Sequence, residues 1–83
     1  MNDVGTRIRT FIAMEVLLED SPSKVTDQTQ LVGGVMDSLG LMQLVSYIQE
    51  EFGVTFDDAE VTPGNFRTPA DVERLVHHKL AAA

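Results

Sequence analysis

Among the serines of this chain, Ser38 has the sequence neighbours that most clearly suggest a chemical role for its hydroxyl. It follows a glycine pair, Gly33-Gly34, and then Asp37, and it precedes a run of apolar residues at helical spacing. Asp37 is predicted to be the N-cap of that helix, because its side chain can accept hydrogen bonds from the free N–H groups of the first turn. The pattern places one hydroxyl at the exposed start of a helix, which suits a serine that another protein modifies.

A serine hydrolase that uses Ser38 with His77 or His78 is the competing chemistry for this hydroxyl. The chain has no Gly-x-Ser-x-Gly motif, and 83 residues leave little room for an enclosed active site. We therefore expect no catalytic residue. We also expect no metal site, because the adjacent histidines lack a further ligand at metal spacing and the acids Asp57, Asp58 and Glu60 lack the ligand order of a calcium loop.

The helix that positions Ser38 is predicted to run from about Ser38 to Phe52, with Gly53 as its C-cap. Its core-facing stripe is Leu41, Leu44, Val45, Ile48 and Phe52. Tyr47 is expected at the boundary of that stripe. The other face is expected to be free, and because two large apolar residues there flank the serine, it is predicted to dock partners. That face comprises Leu39, Met42, Gln43, Ser46 and Gln49.

Two further long helices and one short one are predicted from the rest of the chain. The first spans 3 to about 19, capped by Asn2 or Asp3 and ended by Ser21-Pro22-Ser23. The last begins at Thr68-Pro69-Ala70-Asp71, a variant capping box, and its final three alanines are expected to fray. Shortly before the last helix we expect a single helical turn at 62–66, with Thr62 as its cap. The last helix is expected to turn one face inward: Val72, Leu75, Val76 and Leu80.

The segment 21–36 is predicted to be a long loop held on the core by Val25, Leu31, Val32 and Val35. Loops of this length are uncommon in compact domains unless they have a task. Alternation of period two is missing, so we expect no sheet. The fold class is therefore all-α, a small bundle of three longer helices and one short helix with a long loop between the first two helices.

Composition describes one acidic domain, 1–83, with its core at about 3–80, and we expect it to be a monomer. Thirteen acids against six bases give a net charge of −7, which disfavours nucleic acid and anionic membranes as partners and favours a basic patch on a protein. The sequence has no cysteine and no apolar run typical of a signal peptide or membrane span, so a cytoplasmic location is expected.

With this pattern, the chain resembles the acyl carrier protein family, which includes the peptidyl carrier domains. Asp-Ser-Leu alone is a weak motif, but its position at the start of the second helix of a small acidic helical chain makes it specific. The resemblance extends over nearly the whole chain. The segments that carry it are Gly34-Val35-Met36-Asp37-Ser38-Leu39-Gly40-Leu41, Leu44-Val45, Glu50-Glu51-Phe52-Gly53-Val54 and Thr62-Pro63-Gly64-Asn65-Phe66-Arg67-Thr68.

The resemblance implies a carrier that is not itself an enzyme. A phosphopantetheinyl transferase, with magnesium and coenzyme A, would join 4'-phosphopantetheine to Ser38, with Asp37 and Leu39 beside the attachment site. The arm's thiol would hold an acyl or aminoacyl group as a thioester. The implied partners are that transferase, an acyl- or aminoacyl-activating ligase, and an acyltransferase or ketosynthase.

The second helix departs from the fatty-acid-synthesis type of the family, in which acids follow the serine closely. Here Gly40, Gln43 and Gln49 occupy those positions. We therefore expect a free-standing carrier of a polyketide or nonribosomal-peptide pathway, with a fatty-acid-synthesis carrier and an unmodified acidic helical adaptor as alternatives. Gly40 has a low helix propensity, and we hypothesise that it gives clearance to the root of the arm.

Overall fold

The computed structural model describes residues 3–82 and contains three helices joined by loops. Helix α1 spans Val4–Phe11 and continues as a π-helical turn, Ile12–Val16; α2 spans Ser38–Phe52; and α3 spans Pro69–Ala82. Two single 3-10 turns lie between them, at Pro22–Lys24 and Asp58–Glu60. No strand occurs between residues 3 and 82, and the all-α prediction is confirmed.

The first helix begins as predicted but ends earlier. Asp3 is its N-cap, and its side chain accepts a hydrogen bond from the Thr6 N–H at 2.7 Å, whereas Asn2 lies outside the described residues. The last turn widens, since the Leu17 N–H bonds to the Ile12 carbonyl at 2.9 Å. Leu18 then adopts a left-handed φ of 55°. The prediction that Ser21-Pro22-Ser23 ends this helix is wrong, because the chain has already left the helix at Leu18.

The long loop lies on the core, as its apolar residues predicted, with one exception. Val25 and Leu31 are buried, and the Leu31 N–H donates to the Arg67 carbonyl at 2.7 Å. The Leu31 carbonyl accepts from both Gly34 and Met36, which closes a tight turn and directs the Met36 side chain inward. Val35 consequently faces solvent, so the prediction that it pins the loop is wrong.

Helix α2 has the predicted bounds. Gly53 follows it with a left-handed φ of 70° and donates its N–H to the Gln49 carbonyl, which makes it the C-cap. Leu44, Val45 and Ile48 are buried on its inner face, while Leu41 and Phe52 are half-buried at the edges of the stripe. This inner face fixes the rotation of the helix and thereby directs Ser38 away from the core.

Residues 62–66 form the single turn that was predicted, with Thr62 as its cap. The Thr62 carbonyl accepts from the Phe66 N–H at 3.2 Å, as in one turn of an α-helix, and the Thr62 hydroxyl accepts from the Asn65 N–H at 3.2 Å. A separate 3-10 turn lies earlier, at Asp58–Glu60, where the Glu60 carboxylate accepts from the Asp57 N–H at 2.8 Å.

Helix α3 starts as predicted. Thr68 caps it, and its hydroxyl accepts from the Asp71 N–H at 3.3 Å while donating to the Asp71 carboxylate at 3.0 Å. Its buried positions end at Val76, so Leu80 is exposed, contrary to the prediction that it faces inward. The helix continues through Ala82, where fraying was expected, and Ala83 lies outside the described residues.

The core is formed by all three helices and by the segments between them. The Phe56 and Phe66 rings meet edge to face, with centroids 5.8 Å apart, and tie the chain before α3 to the bundle. None of the helices within residues 3–82 combines the length and apolarity that crossing a membrane requires. The largest fully buried side chains are Phe66, Ile8, Ile12, Leu31, Leu44, Ile48, Val72, Val76 and Pro69.

Candidate functional site

Ser38 is the first residue of α2 and is exposed to solvent. The preceding residue, Asp37, has extended backbone geometry, and its Oδ1 accepts the Gly40 N–H at 2.8 Å. The Asp37 carbonyl also accepts the first helical bond, from Leu41 at 2.9 Å. Asp37 is therefore the N-cap of α2, as predicted, and it holds the start of the helix in the geometry that presents the Ser38 hydroxyl.

The backbone dipoles at Ser38 favour a negative charge. Helix α2 has 15 residues, and the N–H groups of its first turn point away from the helix body beside Ser38. An anionic group attached at an exposed helix start gains about 0.3–1 kcal/mol from these dipoles. The first turn of α2 itself contains no acidic side chain, and the carboxylate of the N-cap Asp37 is engaged by the Gly40 N–H.

Gly40 is buried under the start of α2 rather than beside the hydroxyl. An added Cβ would lie 2.9 Å from Val16 Cγ1 and 3.0 Å from Met36 Cγ. The glycine therefore permits close contact between α2, the end of the first helix and the loop. The hypothesis that Gly40 gives clearance to an arm on Ser38 is wrong, because its missing side chain would face the core.

The outer face of α2 next to Ser38 is apolar and neutral. Leu39 is 68% exposed and Met42 is 59% exposed, although both are large hydrophobic residues. Gln43 and Ser46 lie on the same face and are also exposed. These four residues form a continuous surface within two turns of the hydroxyl.

Gln49 departs from the expected free face. It is half-buried, and its Oε1 accepts the Phe56 N–H at 3.0 Å. The chain folds back after Gly53 so that Val54 and Phe56 are buried, and this return path covers the Gln49 side chain. The glutamine at this position therefore holds the segment that follows α2 against the helix, through its hydrogen bond with the Phe56 N–H.

Tyr47 lies at the boundary of the buried stripe, as expected. Its ring stacks on Phe11, with centroids 4.1 Å apart and planes 12° from parallel. Partial burial raises the pKa of the Tyr47 hydroxyl, and the nearby Glu51 carboxylate raises it further. The phenol therefore remains protonated and neutral at ordinary pH, and it serves to join α1 to α2.

The histidines do not share the surroundings of Ser38. His77 and His78 are exposed in the second half of α3, and His77 Nε2 pairs with Glu73 Oε2 at 3.2 Å. The groove lined by Asp37 and Leu39, the sequence neighbours of Ser38, has no histidine in its lining. The structure thus does not bring together a serine and a histidine for nucleophilic catalysis. Between residues 3 and 82 there is also no group of three or more potential metal-ligating side chains.

Leu18 is a residue near the site that the sequence did not single out. It is 80% exposed and has a left-handed backbone, and it borders the same groove as Asp37 and Leu39. The periodicity of the first helix hides it, because the helix was predicted to continue to about residue 19. No signal in the sequence marks the π-helical turn that brings it here.

Comparison with known proteins gives a consistent picture. A family model described as "Phosphopantetheine attachment site" matches residues 11–76. The chain is 34% identical over 81 residues to aminoacyl carrier protein 1 of Bradyrhizobium diazoefficiens, covering 98% of this chain and 90% of that protein. It is 26% identical to aminoacyl carrier protein 2 of the same organism, covering 98% and 86%.

A third relative comes from a different source. The acyl carrier protein of Thermotoga maritima is 28% identical over 79 residues, covering 94% of this chain and 93% of that protein. No solved structure matches this chain significantly.

Proposed function

We infer that Ser38 is the residue that bears phosphopantetheine. This chain belongs to the family of phosphopantetheine attachment-site domains, which includes the acyl carrier proteins. The supporting observation is the place of this hydroxyl, exposed at the N-terminus of α2 within the matched segment. The other serines of that segment are less suited. Ser21 is half-buried with its oxygen 2.8 Å from that of Ser23, and Ser46 lies in mid-helix.

The residues around Ser38 fit a phosphodiester-linked group. The hydroxyl is exposed, the dipole of α2 favours the phosphate charge, and Asp37 keeps the helix start fixed without covering the serine. When bound, 4'-phosphopantetheine supplies a thiol on a long arm that carries an acyl group as a thioester. The chain has no cysteine of its own, so all thiol chemistry would come from this group.

We further propose that the chain carries its cargo and catalyses nothing itself, with 1–83 acting as one carrier domain. Asp37 and Leu39 would contact the phosphopantetheinyl transferase that uses coenzyme A. Leu39, Met42, Gln43 and Ser46 would then meet a loading ligase and a receiving acyltransferase or ketosynthase. Gln49 contributes to this surface indirectly, through its contact with the Phe56 N–H. A cysteine-free carrier loaded from coenzyme A suits the cytoplasm.

For the cargo, we propose an aminoacyl group or an unusual acid of a specialised pathway of the polyketide or nonribosomal-peptide kind. Two relatives that match 98% of this chain are named aminoacyl carrier proteins. The neutral, apolar face beside Ser38 also differs from one built for strongly basic partners. A fatty-acid-synthesis role is the second candidate, and the similarity to the Thermotoga acyl carrier protein favours it.

The attachment is tested by incubating the unmodified protein with a promiscuous phosphopantetheinyl transferase and coenzyme A and then measuring the intact mass. We expect one phosphopantetheine per chain in the wild type and none in Ser38→Ala. Ser23→Ala, which removes another exposed serine, is the matched control and should be modified fully. A wild type without mass gain would identify the chain as an unmodified adaptor, and a modified Ser38→Ala would move the site elsewhere.

The cargo is tested on the modified protein with a panel of amino-acid-activating and fatty-acid-activating enzymes. Thioester formation is read from the intact mass before and after treatment with hydroxylamine, which releases thioesters. Loading by an amino-acid-activating enzyme, with little or none by fatty-acid-activating enzymes, is the expected result. The reverse preference would favour the fatty-acid-synthesis candidate.

A further inference from the structure

Leu18 combines two features that a fold ordinarily avoids in one residue. Its φ of 55° is left-handed, a conformation that strains a bulky L-residue. Its side chain is also 80% exposed, the largest exposure among the large hydrophobic residues of the described chain. A helix that only needs to end takes glycine or asparagine at such a position, so leucine requires another explanation.

The Leu18 side chain borders a groove that passes beside Ser38, whose sequence neighbours line it. The groove has a volume of about 420 Å³ and separates the end of the first helix from the start of α2. Leu18 lines one side, and Val35 and Leu39 line the other, all three of them exposed. The two sequence neighbours of Ser38, Asp37 and Leu39, both belong to the lining. An enzyme that acts directly on the Ser38 hydroxyl therefore comes within one residue of this groove.

The charges around the groove have one sign. The lining includes the acidic residues Glu15 and Asp37 and no lysine or arginine. Two more exposed acids, Glu19 and Asp20, directly follow Leu18 in the chain. An apolar groove with an acidic rim is complementary to an apolar side chain flanked by lysine or arginine.

We propose that Leu18 is part of the docking site for the phosphopantetheinyl transferase, which places an apolar side chain between Leu18 and Leu39 and basic side chains opposite the acids. This inference rests on the proposed attachment at Ser38. Enzymes that act later reach the thiol through a long arm, whereas the transferase has to approach a short serine side chain directly. Among enzymes that act on a carrier, the transferase is thus the one that has to come close to the groove.

The test measures transfer kinetics with a promiscuous phosphopantetheinyl transferase and coenzyme A. Leu18→Gln removes the apolar group, and Leu18→Asn also removes most of the backbone strain. Leu80→Gln, at an exposed leucine of α3, is the matched control. We expect KM to rise about tenfold in both Leu18 variants, as for loss of one buried leucine contact, with kcat unchanged and modification still complete. The Tm of Leu18→Asn should rise by a few degrees, about 2–5 °C.

Three other results would overturn the proposal, and each identifies which part of it fails. If the Leu18 variants and the wild type have the same KM while all are modified, Leu18 does not dock the transferase, although Ser38 remains the attachment site. If the wild type gains no mass, the proposed function fails and this inference fails with it. If sedimentation shows a wild-type dimer that Leu18→Gln converts to a monomer, a second copy covers the groove instead.

Discussion

Gly40 and Val16 lie so close together that a Cβ on Gly40 would be 2.9 Å from Val16 Cγ1. This contact joins the first turn of α2 to the π-helical end of the first helix, and it places Ser38 relative to the groove beside it. The separation leaves no space for a methyl group unless Val16 or Met36 moves, and Val16 is β-branched and therefore stiff.

Gly40→Ala is expected to destabilise the protein although alanine favours helix formation. The gain in helix propensity is about 1 kcal/mol, while overpacking a tight contact costs about 1–3 kcal/mol, so we expect a net loss of about 1 kcal/mol. Gly5→Ala is the matched control in α1. There the added Cβ meets the flexible ends of Glu73 and Arg9, which can move away. Urea unfolding should show a lower free energy for Gly40→Ala and an equal or higher one for Gly5→Ala.

Asp37 is expected to serve both the helix and the transferase, and two substitutions separate these roles. Asp37→Ala removes the acceptor of the Gly40 N–H and should cost about 1 kcal/mol of unfolding free energy. Asp37→Asn keeps a capping oxygen and should lose less, yet it removes the charge beside Ser38. We expect Asp37→Asn to lower the kcat/KM of arm attachment several-fold. Attachment at the wild-type rate would show that the aspartate acts only as a cap.

The sequence predicted the elements whose ends are marked by specific side chains. Asp37 and Gly53 bracket α2, and Thr68 with Pro69 starts α3, because each signal satisfies backbone groups locally. Ser38 was identifiable for the same reason, as it is tied to a cap that can be read from neighbouring residues. These parts of the fold depend on contacts within a few positions of the chain.

The features that the sequence did not reveal depend on contacts between distant segments. The π-helical turn and left-handed Leu18 give no periodic signal, since the apolar residues of the first helix run on through the turn to Leu18. Gly40 was interpreted as giving clearance to an arm on Ser38, but its role is set by Val16, 24 positions earlier in the chain. Gln49 was placed on the outer face because helical periodicity does not indicate that the chain will return over it.

Gln49 is expected to contribute to stability rather than to direct contact with partners. Gln49→Ala leaves the Phe56 N–H without its acceptor in a partly buried position, which should cost about 1–2 kcal/mol. Gln43→Ala, at an exposed position of the same helix, should change the unfolding free energy by less than about 0.5 kcal/mol. Faster hydrogen exchange of the Phe56 amide in Gln49→Ala alone would support this assignment. Equal stability of the two variants would contradict it.

Glu60 makes the stability of the protein depend on pH. Its carboxylate accepts hydrogen bonds from Lys79 Nζ, at 2.7 and 3.0 Å, and from the Asp57 N–H at 2.8 Å. The bond from Lys79 first, and then that from Asp57, lower the pKa of Glu60 below its ordinary value of 4.5. Because the folded-state pKa is the lower one, this stabilisation is complete above the unfolded-state value and is lost as pH falls through the folded-state value.

Glu60→Gln should therefore have a lower Tm than the wild type near neutral pH, and the difference should shrink as pH falls below about 4.5, because the glutamine is neutral throughout. Asp58→Asn is the matched control, since Asp58 is an exposed acid in the same 3-10 turn. Thermal unfolding of the three proteins, followed by circular dichroism from neutral pH to about pH 3, measures the effect. A gap between wild type and Glu60→Gln that stays constant over this range would show that the ion pair with Lys79 does not stabilise the folded state.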